Sequence, residues 1–284
     1  MTDIVARAPN HLGDGVMALP ALYALSRVGR LTIHAPKWGL DLYRGIQARV
    51  VSRDARHEGE VAVLFPPSFR VAWASRRVPR RVGVAADGRR WLLTDVVERG
   101  PHRRDTYAAL AAAVGAIVDG PPEWLRRSGD PAVHVPRGHI GLNPVSPSGK
   151  TVAWQGFADL ARRMDRPVVF YGGPREAMTV DTVAGHHPRR VGLGLPAFAS
   201  ALVRCAVFVS NDSGAAHFAR ACGVPTVAVY GSTTPSRTGP HGATAVEGEA
   251  SCRPCYRKEC PFGLECLQIE VERVEAAVRE VLGG

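Results

Sequence analysis

The strongest constraint on this chain is a repeated alternation. Short apolar runs rich in β-branched residues, each closed by a polar or glycine turn, are followed by stretches with helical spacing. That order implies parallel strands joined by crossover helices. Ile4–Ala8 reads as a strand, and the glycine turn Asn10-His11-Leu12-Gly13-Asp14-Gly15 leads into a helix carrying Val16, Met17, Leu19, Leu22 and Leu25 on one side. Leu31–His34 and Val61–Phe65 read as strands and Tyr107–Val114 as an alanine-rich helix. Gly120-Pro121-Pro122 and Gly129-Asp130-Pro131 then interrupt the pattern as a linker would.

After them the alternation restarts. Strands are expected at Ile140–Asn143, Val168–Tyr171, Val207–Ser210 and Thr226–Tyr230, and helices at Phe157–Met164, Ala197–Arg204, Ser213–Cys222 and Val271–Leu282. The expected fold class is α/β, with two Rossmann-like, doubly wound domains facing across a cleft. The boundaries are 1–130, 131–270 with a four-cysteine loop, and a final helix over 271–284. No internal sequence repeat is visible. In doubly wound sheets ligands sit beyond the carboxyl ends of the strands, so the polar turns that follow strands are where chemistry is expected.

A length of 284 residues suits two compact domains, and 45% hydrophobic residues can supply their cores. No apolar run approaches the ~18 residues of a membrane span, and the start lacks a signal-peptide pattern. A cytoplasmic protein is expected, one that visits the inner face of the membrane as a peripheral partner. The net charge is +10, almost all from arginine, since lysine occurs only at positions 37, 150 and 258. Genome composition explains such a bias as well as an anionic partner does. The densest basic stretch, Arg70 to Arg104, is interleaved with prolines and aliphatics and carries no nucleic-acid motif, so no nucleic-acid partner is expected.

The most informative turn follows Val207–Ser210. Asn211-Asp212-Ser213-Gly214-Ala215-Ala216-His217 ends a strand and opens a helix with small residues. Free amides and the positive dipole end at such a helix start form an anion site, and Asp212 or Ser213 can cap it. A capped helix without a ligand is the bland alternative. The second small, hydroxyl-rich turn, Gly231-Ser232-Thr233-Thr234, favours a ligand. His217 faces the ligand or bonds to backbone; the sequence leaves both open.

Lys150 ends the rigid loop Asn143–Lys150, where an ammonium can neutralise phosphate; the loop lacks P-loop spacing. Glu176 follows Tyr171-Gly172-Gly173 and either accepts from ribose hydroxyls or favours a helix dipole. Asp14 is either a helix cap or a carboxylate displayed to take a proton from an attacking hydroxyl.

Asn10-His11-Leu12-Gly13-Asp14-Gly15-Val16-Met17-Ala18-Leu19-Pro20-Ala21-Leu22 resembles the opening of the bacterial heptosyltransferases of glycosyltransferase family 9. Ser210 to His217, continuing through Gly223-Val224-Pro225 to Tyr230-Gly231-Ser232-Thr233, resembles that family's nucleotide-binding signature. Ser68-Phe69-Arg70 and Arg81-Val82-Gly83 also fit. The resemblance implies a GT-B fold and an inverting transfer of a sugar, from ADP-heptose, to a membrane-associated glycolipid acceptor such as a lipopolysaccharide core. It implies that Asp14 is the base. It implies a diphosphate at Asp212, Ser213 and Gly214 helped by Lys150, a ribose at Glu176, and Thr233 and Thr234 beside them, with His217 on the donor side. Asn10, Ser68 and Arg70 fall on the acceptor side. Catalysis by such enzymes needs no cofactor or divalent metal, because protein donors hold the leaving group. The chain is shorter than most members of that family, and its loop at Lys150 is less basic.

Cys252, Cys255, Cys260 and Cys266 form a cluster stiffened by Pro254 and Pro261. Four thiolates close a shell around structural zinc or iron; free thiols are the alternative, and disulfides do not suit a cytoplasmic protein. Related transferases carry a similar Cys-x-Pro-Cys loop. Cys205 and Cys222 are expected in apolar helices. Two rival functions remain at this stage. One is a nucleotide-sugar 2-epimerase-like isomerase, which the Asn10–Asp14 turn fits poorly. The other is a non-catalytic nucleic-acid-binding protein, which leaves the paired turns unexplained.

Overall fold

The computed structural model describes residues 1–120, 125, 133–146, 153–257 and 259–283. The chain divides into two compact units, Met1–Trp124 and Leu125–Gly284.

The first unit is built on six parallel strands: β1 (Asp3–Arg7), β2 (Arg30–Ala35), β3 (Ala48–Ser52), β4 (Val61–Leu64), β5 (Arg80–Val84) and β6 (Asp95–Val97). Their order is β3-β2-β1-β4-β5-β6. Val5 pairs with Thr32 on one side and Ala62 on the other. β1 and β4 are buried nearly throughout because both faces are covered, as parallel strands require. The helix Leu19–Val28 buries Leu19, Leu22 and Leu25 at three-residue spacing, with Pro20 in its first turn where a missing amide costs nothing. Truncating one of these leucines to alanine should cost about 2–5 kcal/mol. The helix Arg103–Ala112 begins with a capping box in which the His102 ring accepts from a first-turn amide and Asp105 accepts from the His102 amide.

The second unit repeats the plan with β7 (His139–Asn143), β8 (Val168–Gly172), β9 (Arg189–Val191), β10 (Cys205–Asn211), β11 (Thr226–Tyr230) and β12 (Thr244–Glu247). The order is β12-β11-β10-β7-β8-β9, again fully parallel. Counted from the start of each unit, both sheets run 3-2-1-4-5-6, although the sequence shows no repeat. Ile140, Leu142, Phe157, Phe170, Val207, Val209, Val227 and Val229 form the core on one face, closed by Val274 and Val278 of the last helix, Val271–Gly283. On the other face Tyr171, Phe198, Phe208 and Phe218 pack ring against ring. A Cβ at Gly141 would lie 2.7 Å from the Phe208 ring, so the strand needs glycine there.

Cys205 corrects an expectation. It opens strand β10 rather than lying in a helix, and its sulfur bonds to His139 Nε2 at 3.1 Å. Burial pushes its thiol pKa up. Cys222 caps the end of the helix Gly214–Ala221, and burial raises its thiol to about 12.

Candidate active site

In the order 3-2-1-4-5-6 the winding reverses between the first and fourth strands, and ligands collect at that crevice. In the second unit this is where the loops after β7 and β10 leave the sheet. Asn211, the last residue of β10, ties them together. Its Nδ2 donates to the Pro144 carbonyl at 2.8 Å, and its Oδ1 accepts from the Trp154 amide at 2.9 Å. Ser146 Oγ donates to the Asp212 carbonyl at 3.4 Å. The Trp154 indole donates to the Ile269 carbonyl, anchoring the loop to the chain before the last helix. Asn211 lay inside the motif read from sequence, but only the fold shows that it organises the loop.

The helix Gly214–Ala221 starts here with Ser213 in the cap position, and Ser213 does not cap it. The Ser213 hydroxyl bonds to Ser210 Oγ at 2.8 Å instead, and its side chain makes no capping bond to the first-turn amides. Amides that the cap residue does not satisfy can receive solvent or an anion, the arrangement that binds phosphate. Gly214 and Asp212 are half-buried and His217 is buried one turn in. The Asn143 carboxamide oxygen is buried with no partner among the described residues.

A cavity of about 370 Å³ lies beside the loop after β7, lined among others by Ser146, Trp154, Gln155, Arg175, Glu176 and Thr179. Glu176 sits at the start of the helix Ala177–Ala184 and accepts from the Gly173 amide at 2.6 Å. That bond fixes its carboxylate on the cavity wall. Lys150 lies outside the described residues.

The turn after β11 carries the predicted hydroxyls. Thr233 Oγ1 is buried without a partner among the described residues, while Thr234 Oγ1 lies 3.1 Å from Ser236 Oγ. What holds this turn is Arg253, which no local motif marks. Its guanidinium donates to the carbonyls of Gly231, Gly248 and Thr233 and to the Glu247 carboxylate. The amides of Cys255 and Tyr256 both donate to the Ser232 carbonyl. The cysteine loop is therefore strapped to the hydroxyl-rich turn through backbone and Arg253. Burial, and then the proximity of Cys252, Cys255 and Cys260, raises the Cys266 thiol pKa. Among the described residues no three or more His, Cys, Asp or Glu side chains converge on a point that would hold a metal ion.

In the first unit the helix begins earlier than the sequence implied. Leu12–Met17 is helical, His11 is the residue before it, and Asp14 lies in its first turn rather than capping it. The Asp14 carboxylate, 17% exposed, pairs with Arg103 at 2.6 Å. A Cβ at Gly15 would lie 2.6 Å from Trp38 and 2.9 Å from the Tyr43 hydroxyl, so close packing demands the glycine beside Asp14. Asn10 Oδ1 accepts from the buried Arg7 guanidinium at 2.7 Å. Ser68 caps the helix Phe69–Ala74 by accepting from the Val71 amide, and Arg70 is exposed. Arg89, fully buried, donates to the carbonyls of Val84, Pro66 and Ser68 and pins the loop that presents Ser68.

The sequence matches the model of glycosyltransferase family 9 (heptosyltransferase) over residues 59–265. Lipooligosaccharide heptosyltransferase 2 of Campylobacter jejuni is 38% identical over 61 residues, 20% of this chain and 19% of that protein. Lipopolysaccharide heptosyltransferase 1 of Pseudomonas aeruginosa is 35% identical over 72 residues, 25% of this chain and 20% of that protein. The matched stretch thus spans about a fifth of the length of these curated relatives. Among solved structures, the ADP-heptose lipopolysaccharide heptosyltransferase II of E. coli superposes with a TM-score of 0.76 at 21% identity, covering 99% of this chain and 98% of that one. At such identity the likeness establishes the shared GT-B fold. With the match running from the start of β4 through the cysteine loop, this chain belongs to glycosyltransferase family 9.

Proposed function

We propose that this protein is an inverting heptosyltransferase that moves heptose from ADP-heptose to a hydroxyl of a lipopolysaccharide-core-like glycolipid. The acceptor oxygen attacks the anomeric carbon on the face opposite the diphosphate, and its proton passes to Asp14. The bond from the anomeric carbon to the diphosphate oxygen breaks, and ADP leaves carrying the charge. Uncapped amides at Ser213–Gly214 and the side chain of Lys150 receive that charge. Electrostatic stabilisation of this kind is commonly the largest part of such catalysis. Glu176 accepts from the ribose hydroxyls, with Thr233, Thr234, Asp212 and His217 around the nucleotide. Asn10, Ser68 and Arg70 serve the acceptor.

The observation that carries this reading is the uncapped helix start at the sheet's reversal point, joined through Ser146 to a cavity walled by Glu176. Family membership favours transfer over epimerisation. Thermal-shift titration with ADP, UDP and GDP tests the donor. Stabilisation by ADP above the other two is expected, and no stabilisation by any nucleotide overturns the proposal. Transfer from ADP-heptose to a core glycolipid then tests the reaction.

The loop Cys252–Cys266 acts as a structural brace for the turn at Thr233, and no chemical step passes through it. Elemental analysis of freshly purified protein tests whether zinc or iron joins its thiols.

A further inference from the structure

The short helix Phe69–Ala74 in the first unit is turned inside out for a water-facing element. Val71 and Ala72 point into the core with Leu92 and Leu93. Phe69 and Trp73, four residues apart on the other face, are 37% and 46% exposed. Trp91, on the 3-10 turn Arg90–Leu92, is 67% exposed and joins them. The three rings form one triangle, with centroids 6.2 Å apart for Phe69 and Trp73, 6.1 Å for Phe69 and Trp91, and 6.3 Å for Trp73 and Trp91. Single exposed aromatics are ordinary, whereas a contiguous cluster marks a contact surface.

The charge around the triangle identifies the partner. Arg76 lies over Trp73 with its guanidinium carbon 4.6 Å from the ring centre. Arg77, next to Arg76 in the chain, and Arg90, next to Trp91, are both exposed. Among the described residues no carboxylate pairs with Arg76, Arg77 or Arg90. The nearest acid in sequence, Asp87, is exposed and accepts from the Phe69 amide at 2.9 Å. Amphipathic aromatic rings with Arg76 over one of them and two further exposed arginines adjacent in the chain match the headgroup layer of an anionic bilayer, where rings enter the interface and cations meet lipid phosphates. Base stacking on single-stranded nucleic acid needs open ring faces, and Trp73 already has Arg76 over one face and stacks with Phe69 at 14°.

We propose that Phe69, Trp73 and Trp91, with Arg76, Arg77 and Arg90, form a docking surface for an anionic phospholipid membrane. The surface goes beyond the transfer reaction and does not depend on it, because membrane binding can be measured with no donor present.

The test is co-sedimentation of the full chain with phosphatidylcholine vesicles, with and without phosphatidylglycerol. Binding is expected only to the phosphatidylglycerol vesicles and should weaken as salt rises. Trp73→Ser with Trp91→Ser should abolish it. Arg76→Gln with Arg77→Gln should weaken it by about thirtyfold. Each variant should keep the wild-type melting temperature, which removes misfolding as an explanation. No binding by the wild-type chain, or equal binding by the variants, overturns the proposal. So does concentration-dependent self-association that the tryptophan substitutions remove, since the surface would then join two copies of the chain. Preference for single-stranded DNA over the vesicles overturns it as well. Absence of vesicle binding by the wild-type chain, together with an intact ADP-induced thermal shift, would refute this surface and leave the proposed function standing.

Discussion

Asp14 and Arg103, separated by 89 residues in sequence, meet at 2.6 Å in the first unit. The ion pair fixes one carboxylate oxygen and orients the other, which is what a proton acceptor requires. Asp14→Asn should lower kcat by about 10²–10⁴ while leaving the ADP-induced thermal shift intact. Arg103→Gln should lower kcat with little change in the KM for donor, because in the proposed scheme Arg103 acts through Asp14. Steady-state kinetics with saturating acceptor separates the two, and wild-type turnover in Asp14→Asn removes it as base.

Arg253 should govern the turn at Thr233 without touching the reacting atoms. Arg253→Ala strips donors from three carbonyls and frees the Glu247 carboxylate, and the expected loss of stability is about 2–4 kcal/mol. The KM for donor should rise several-fold while kcat at saturation changes little. Arg253→Lys should restore only part of this, since a single ammonium cannot reproduce the fork. Calorimetric titration of ADP and a denaturant melt check both points.

Arg89 offers a purely structural test. Arg89→Met leaves the carbonyls of Val84, Pro66 and Ser68 without that donor in a buried setting, at a cost of about 3 kcal/mol or more. The melting temperature should fall by several degrees. ADP binding, which belongs to the second unit in the proposed scheme, should be unchanged at temperatures where the variant is folded.

His34 makes stability depend on pH. Burial, then the neighbouring charges of His57 and Arg7, lowers its pKa to about 4, against roughly 6.5 in an unfolded chain. His57, whose ring lies 4.4 Å away, is also lowered, chiefly by burial. The unfolded state therefore takes up protons that the folded state refuses. Stability contributed by the neutral rings is whole above about pH 6.5 and is lost as pH falls toward 4. His34→Gln should flatten this loss, which denaturant titrations at pH 7 and pH 5 will show. Equal pH dependence in variant and wild type would remove His34 from the explanation.

The parts of the fold legible in sequence were those where local pattern and burial agree. β1, β4, β7, β10 and β11 are central strands covered on both faces, and their apolar runs stand out. β3, β6 and β9 lie at or near sheet edges, and β5 opens with two arginines. Their polar composition hides them from a hydrophobic reading. The short helix Phe69–Ala74 was missed because it carries its largest apolar side chains outward. At the site, the turns after strands were visible as motifs. What fixes them was not: Asn211 bridging two loops, Arg253 bridging the cysteine loop to Thr233, and Arg103 on Asp14 are contacts between distant positions, with no local spacing to betray them.

The doubled winding order has a consequence for how such a protein can change. Each half carries its own reversal point, set by which strand follows which and not by side chains in the loops above it. Swapping the segments after β1 and β4 with those of a relative should therefore redirect one recognition task while the other half keeps its own. Diversification in this architecture can proceed as loop grafting on two separately wound sheets, with no need to redesign either core.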